Sequence, residues 1–189
     1  MKHLEIEMKT LLTEEEYDRL QAQFLEVTPV TQRNYYLDTP DFYLRQHKIA
    51  MRIRTFDTSA ELTIKIPQEV GNMEYNQALT LEEATYCLEE CKLPQGMIME
   101  ELNSRRLSPN GWVVLGCLTT VRYEKETAIG LMALDQSHYF DIVDYELELE
   151  VENSVQGNLD FQEFLRANEI QFKKASSKLV RFIENMKKY

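Results

Sequence analysis

The sequence is poor in the residues that many enzymes rely on. Its three histidines, His3, His47 and His138, stand far apart, with no H-x-x-x-H pair. Its six glycines form neither a phosphate-binding loop nor a dinucleotide fingerprint. No serine sits in a G-x-S-x-G turn. The three cysteines are an odd number and do not read as a disulfide framework. Cys87 and Cys91 are four apart and read as small hydrophobes on a helix face, since two thiols without nearby partners make a poor metal site. No apolar run approaches the length of a membrane span. Residues 1–9 carry charges where a signal peptide needs an apolar stretch, so the expectation is a cytoplasmic protein with no membrane partner. No long Pro/Gly/Ser-rich linker divides the 189 residues, and a single domain over 1–189 is expected.

Positive charge is also in the minority. There are 21 Lys+Arg against 32 Asp+Glu, a formal net charge of −11. Such a chain repels nucleic acid in general, so any anion it binds must be held by a local cluster of cations. The chemistry that remains available is that of carboxylates, lysines and arginines.

Helices and strands are signalled separately. Thr13-Glu14-Glu15-Glu16 is a capping box with Leu12 and Tyr17 as a staple, and predicts a helix to near Phe24. Thr80-Leu81-Glu82-Glu83 repeats the signature and predicts a helix to near Cys91. A short helix is expected over 97–107, a fourth from a cap at Asn158 or Asp160 to about Asn168, and a last one from about Ser176 to Lys187. Segments of period two fall at 2–10, 30–38, 48–56, 59–67, 73–79, 112–124, 127–135 and 138–151, with turns at Asp57-Thr58 and Thr127-Ala128. Eight strands with few crossover helices predict an antiparallel α+β fold.

The alternation within these strands carries the functional signal. His3, Glu5, Glu7 and Lys9 oppose Leu4, Ile6 and Met8. Arg52 and Arg54 oppose Met51 and Ile53, and Glu61, Thr63 and Lys65 oppose Leu62, Ile64 and Ile66. Arg122 and Glu124 oppose Val121 and Tyr123, and Glu146, Glu148 and Glu150 oppose Leu147, Leu149 and Val151. A sheet with one wet face explains alternation in any single strand. It does not explain like charges repeated two apart on strand after strand, which become costly once that face is enclosed. Paired carboxylates suit a hard divalent cation, and paired guanidinium groups suit phosphate oxygens. Together they point to a metal-chelated polyphosphate. Closing an eight-stranded antiparallel sheet into a barrel would put the charged face inside and the apolar face under the helices. Lys174, just before the predicted start of the last helix, and Lys178 and Arg181 within it make a cationic stripe opposite Leu179, Phe182, Ile183 and Met186. Alone, that stripe reads as a solvated face whose cations complement the helix C-terminus.

His3-Leu4-Glu5-Ile6-Glu7-Met8-Lys9 resembles the E-x-E-x-K signature of the CYTH, or triphosphate tunnel metalloenzyme, superfamily. The family's later motifs follow in order: Tyr36-Leu37-Asp38-Thr39, Met51-Arg52-Ile53-Arg54, Leu62-Thr63-Ile64-Lys65 and Met73-Glu74-Tyr75. They continue with Val121-Arg122-Tyr123-Glu124-Lys125, Leu134-Asp135, Glu146-Leu147-Glu148-Leu149-Glu150 and Ser177-Lys178-Leu179-Val180-Arg181-Phe182. The whole is similar to the CYTH proteins of Gram-positive bacteria often labelled adenylate cyclase-like. The resemblance implies an eight-stranded tunnel holding a triphosphate, and hydrolysis of a phosphoanhydride with Mg²⁺ or Mn²⁺. It implies that Glu5, Glu7, Glu148 and Glu150 hold metal, with Glu146 on their face and Glu74 and Asp135 completing the acidic set. Lys9, Arg52, Arg54, Lys65, Arg122 and Lys178 are implied to bind phosphate oxygens, with Arg181 and Lys125 beside them. Glu5, Glu7, Lys9, Glu148 and Glu150 form the implied catalytic group. The family often has a second acid two residues after the position of Glu74, where this chain has Asn76.

Two other readings stay open at this point. An adenylate cyclase would use the same grip on ATP and need a nucleoside pocket, to which Tyr35, Tyr36, Tyr43 or Phe56 could contribute stacking. A non-catalytic module would bind polyphosphate or nucleotide without turnover. The sequence also leaves open a homodimer.

Overall fold

The computed structural model describes residues 1–107 and 111–186. Among these residues the strands are β1 (Lys2–Glu5), β2 (Glu7–Leu12), β3 (Val30–Asp38), β4 (Ala50–Thr55), β5 (Ala60–Pro67), β6 (Asn72–Leu79), β7 (Val113–Thr127), β8 (Gly130–Tyr139) and β9 (Ile142–Glu150). The helices are α1 (Glu14–Gln21), α2 (Tyr43–Gln46), α3 (Leu81–Glu90), α4 (Met97–Ser104), α5 (Ser154–Ala167) and α6 (Lys178–Met186). A 3₁₀ turn over Ala22–Phe24 extends α1. The expected end of the last helix at Lys187 lies outside the described residues.

The antiparallel α+β class is as expected, but there are nine strands among the described residues where eight were predicted. The stretch 2–10 is not one strand. It breaks at Ile6 because the chain changes partner there: β1 pairs with β6, whereas β2 pairs with β9. The Ile6 carbonyl accepts from the Val151 N–H at 2.8 Å.

The chain forms two compact units, residues 1–4 with 32–118 and residues 5–31 with 119–189. In the first, the strand order is β1-β6-β5-β4-β3 followed by the start of β7. Its apolar face carries Met51, Ile53, Leu62, Ile64, Ile66 and Tyr75, all buried against Leu44, Ala84, Cys87, Ile98 and Leu102. Cys87 is thus a core residue, as read from its spacing. In the second unit the order is the remainder of β7, then β8-β9-β2. There Met132, Leu134, Leu147 and Leu149 pack with Tyr17, Leu20, Phe24, Phe161 and Leu165. Each such fully buried large side chain stabilises by roughly 1.5–3 kcal/mol relative to exposure.

Local chemistry sets the helix starts. Thr13 and Thr80 each accept from the backbone N–H three residues on, and Glu16 and Glu83 each reach back to the cap N–H, so both predicted capping boxes form. The cap of α5 is Asn153, not Asn158 or Asp160: its side chain accepts from Val155 and Gln156, and the helix starts well before the expected residues. This start places Gly157 against Val151, the residue after β9, where a Cβ would meet that side chain at 2.6 Å. The single turn α2 was not predicted. Buried Asp38 holds it by accepting from the N–H groups of Thr39 and Leu44 at 2.8 Å and Arg45 at 3.1 Å.

Two hairpins differ from the sequence reading. β7 runs to Thr127 and turns through Ala128 and Ile129, closed by the Thr127 hydroxyl donating to the Gly130 carbonyl at 2.7 Å. β8 and β9 are joined at Phe140-Asp141, where no glycine or asparagine marks the turn. Phe140 adopts φ 53°, unusual for a bulky residue, and its ring stacks on Phe182 of α6 at 4.9 Å. The turn is therefore held by a contact 42 residues away, which local sequence cannot reveal.

Candidate active site

The face of the second unit's sheet opposite its core is ordered by strand register. Arg122, Asp135 and Glu146 are direct cross-strand neighbours, and so are Ala133, Glu148 and Lys9 in the next row. Glu150 lies opposite Glu7 one row further. The period-two spacing of E-x-E-x-E and E-x-K puts all these side chains on one face. One oxygen each from Asp135, Glu146 and Glu148 lies within 4.8 Å of the others. Asp135 and Glu146 are 0% and 1% exposed.

Cations from β7 and α6 close on this trio. Arg122 donates from Nε to Asp135 Oδ1 at 2.8 Å and from its terminal nitrogen to Oδ2 at 2.6 Å, and it also contacts Glu148. Lys178 Nζ lies 2.9 Å from Asp135, 2.7 Å from Glu146 and 2.6 Å from Glu148. Arg181 lies 2.6 Å from Glu146 and donates to Asp144 at 2.9 Å. Lys9 contacts Glu7 and stands 4.0 Å from Glu148. The cationic stripe of α6 is thus no solvated face: Lys178 and Arg181 are enclosed, and only Lys174 is exposed. Phe182 beside them packs on Tyr139 and Phe140.

The electrostatics follow from burial and pairing. Burial opposes the charge of Lys178, but Asp135, Glu148 and Glu146 outweigh it and hold the ammonium well above the ordinary lysine value. Burial likewise opposes Glu148, yet Lys178 and Arg122 keep its carboxyl well below the usual range. Glu146 goes the other way: burial, aided by the neighbouring charge of Glu148, raises its carboxyl in spite of Lys178.

The first unit carries a second charged face. Arg54 donates from Nε to the Asn34 side-chain oxygen at 2.9 Å and approaches Glu61 at 3.4 Å. Lys65 pairs with Glu74 at 2.9 Å. Arg52 lies opposite Tyr36 and Thr63, and its buried Nε makes no hydrogen bond among the described residues. Asn76 donates to Glu74 at 2.8 Å and accepts from the Thr63 hydroxyl at 2.7 Å. Burial raises the Glu74 carboxyl, but Lys65, then Arg52, outweigh it and bring it down to about 2.

Of the residues singled out in the sequence, the structure gathers Glu7, Lys9, Arg122, Asp135, Glu146, Glu148, Lys178 and Arg181 in one network. Arg52, Arg54, Lys65 and Glu74 sit together on the other charged face. Glu5 is buried at the end of β1 and is not one of the three converging carboxylates. Lys125 points elsewhere: its amine donates to the Gln23 carbonyl and lies 4.6 Å from the Phe24 ring, on the helix-covered face. Its odd number, in step with Val121 and Tyr123, already signalled this. Asp144 and Tyr139 were missed. Tyr139 donates to Asp144 at 2.6 Å, which in turn holds Arg181. Asp144 shares the parity of Glu146, Glu148 and Glu150, and that parity could have found it. Among the aromatics considered for stacking, Tyr35 packs against the first core, Tyr43 lies against His47 at 4.5 Å, and Tyr36 is buried opposite Arg52.

The sequence profile of the CYTH domain matches residues 3–183. The chain belongs to the CYTH domain family. A CYTH relative from Bacillus subtilis (strain 168), named “Putative triphosphatase YjbK”, is 33% identical over 189 residues, which cover 99% of this chain and 98% of the relative. A crystal structure of a “putative adenylate cyclase (bh2851)” from Bacillus halodurans is 35% identical with a TM-score of 0.89, covering 96% of this chain and 98% of that one. The solved structure of HpAC1 from Hippeastrum matches at 20% identity and a TM-score of 0.84, covering 96% of each chain, and shares the fold. No helix among the described residues is long and apolar enough to cross a membrane.

Proposed function

We propose that this CYTH protein hydrolyses a phosphoanhydride bond of a triphosphate with the help of Mg²⁺ or Mn²⁺. The observation that carries the reading is the convergence of Asp135, Glu146 and Glu148 within 4.8 Å, with Arg122 and Lys178 in contact. Three carboxylates offer the hard oxygen donors that these ions take, so the residues present fit such a cation. Asp135, Glu146 and Glu148 would hold it, with Glu5, Glu7 and Glu150 as further carboxylates of the same set. When bound, the ion supplies charge neutralisation on phosphate oxygens and a more acidic water. The protein's own part is binding and orientation. Arg52, Arg54 and Lys65 offer cations to phosphate oxygens, as do Lys9, Arg122 and Lys178, and Arg suits them because its fork meets two oxygens at once. Positive charge held in place stabilises the charge that spreads over the transferring phosphoryl group. Arg181, tied to Asp144 and Glu146, positions rather than binds. The name of the 33% identical relative supports the same reaction class.

The test is product analysis with inorganic triphosphate, ATP, diphosphate and short polyphosphate, each with Mg²⁺ or Mn²⁺. Phosphate release by the wild type is expected, with loss of more than about 100-fold in Glu5→Ala/Glu7→Ala while circular dichroism is unchanged. Full metal-dependent turnover in that double variant would sink the assignment. A second reading, adenylate cyclase, is favoured by the name of the 35% identical neighbour. There the 3′-hydroxyl of ATP attacks the α-phosphate and diphosphate leaves. Cyclic AMP plus diphosphate from ATP would select it; phosphate plus ADP or AMP plus diphosphate would select the hydrolase. Triphosphate binding with no turnover in either metal would leave the non-catalytic module.

A further inference from the structure

The three carboxylates already hold a cation, and it belongs to the chain. Lys178 Nζ lies 2.6–2.9 Å from an oxygen of Asp135, of Glu146 and of Glu148. An ammonium has three N–H groups, so one lysine answers all three carboxylates. We propose that Lys178 stands in the place of the divalent cation, and that metal enters the trio only when this side chain leaves. The inference rests on the reading of these carboxylates as metal ligands.

The surroundings allow the exchange without unfolding α6. Lys178 is the first residue of α6, and residues 171–177 before it have no helix or strand. The preceding chain is pinned by Lys173, whose N–H donates to Thr10 Oγ1 at 2.8 Å and whose carbonyl accepts from the Leu11 N–H at 3.1 Å. The helix itself is pinned by Arg181 on Asp144 and by Phe182 on Phe140. These anchors do not involve Lys178, so its long, flexible stem can turn away while the helix stays docked. Arg122 makes its two-pronged contact with Asp135 independently of Lys178. Two cations cannot share the point on which three oxygens converge, because like charges at contact distance in a buried site repel strongly. The anion that draws Lys178 away is a phosphate oxygen of the substrate, the other partner proposed for this residue. Metal alone must therefore compete with Lys178 for the trio, and triphosphate, by drawing Lys178 away, tightens metal binding.

The test is Mn²⁺ binding to the full chain, read by electron paramagnetic resonance without substrate. Lys178→Gln is expected to bind Mn²⁺ at least tenfold more tightly than wild type. Lys174→Gln removes the same charge from an exposed site and is expected to change the affinity less than twofold. Should Lys178→Gln fail to fold, the wild type decides: reductive methylation of Lys178, followed by mass spectrometry, is expected to be slow without metal and to accelerate as Mn²⁺ saturates. Equal Mn²⁺ affinity in the two glutamine variants, or a Lys178 methylation rate that stays flat through saturation, overturns the proposal. Hydrolysis assays on the wild type keep the two readings apart. Turnover with an immovable Lys178 removes this inference alone, whereas Mn²⁺-released Lys178 without turnover removes the triphosphatase and leaves the exchange.

Discussion

The two units share a construction and differ in how they balance charge. Each has an antiparallel sheet with an apolar face under helices, and each has a helix opened by a T-x-x-E capping box. On the charged face of the second unit, acids and bases are locked together: Asp135, Glu146 and Glu148 against Arg122, Lys178 and Arg181. On that of the first, the separate ion pairs Lys65–Glu74 and Arg54–Glu61 are mixed with neutral partners. Arg54 rests on Asn34, Asn76 and Thr63 tie off Glu74, and Arg52 keeps a buried Nε without a hydrogen bond. The difference teaches that charge of one sign can be stored in two ways. In the second unit three carboxylates share one lysine, whereas in the first each acid is met by its own cation together with amides and hydroxyls.

The sharpest way to break the comparison is to delete one ion on each face. Asp135→Ala is expected to cost about 3–5 kcal/mol in urea unfolding, because it removes the two-pronged partner of Arg122 and one of the three carboxylates on Lys178 in a buried site. Glu74→Gln should cost less, about 1–3 kcal/mol, since Lys65 is partly solvated. Equal losses would mean that the two faces are balanced alike.

The same pair sharpens the contrast through pH. Glu74 has a folded value of about 2 against an ordinary 4.5. Its contribution is therefore complete above the ordinary value and disappears as pH falls from about 4.5 towards about 2. The stability gap between wild type and Glu74→Gln is expected to be full at pH 7 and clearly reduced at pH 3; a constant gap would show that the carboxylate's charge is not what stabilises.

Asn76→Glu would convert the first face towards the second by placing a like charge beside Glu74. Losing the amide donor and adding repulsion should lower stability by about 1–2 kcal/mol, seen as a drop in melting temperature. The smallest effects belong to the shared construction. Thr13→Ala and Thr80→Ala are each expected to cost about 1 kcal/mol, nearly equally, because the caps are the same.

Much of this was legible in the order of residues. Both capping boxes form at the residues that announced them, since cap and partner are three apart and need no tertiary help. The faces of β4, β5, β7 and β9 follow the parity of Arg52, Lys65, Arg122 and Glu148, as the register confirms. The partner change at Ile6, the Asn153 cap and the turn at Phe140-Asp141 were not legible. The first and last depend on distant contacts, Val151 for Ile6 and Phe182 for Phe140, whereas the Asn153 cap is local, its side chain accepting from Val155 and Gln156.

By itself, then, the sequence determined which residues share a face, because backbone geometry makes side chains alternate with a period of two whatever the fold. Tertiary structure alone decided which of the many carboxylates converge, that Lys178 closes on three of them, and that Lys125 does not join. Those outcomes depend on strand register and on the docking of α6, and both are set by packing between segments tens of residues apart.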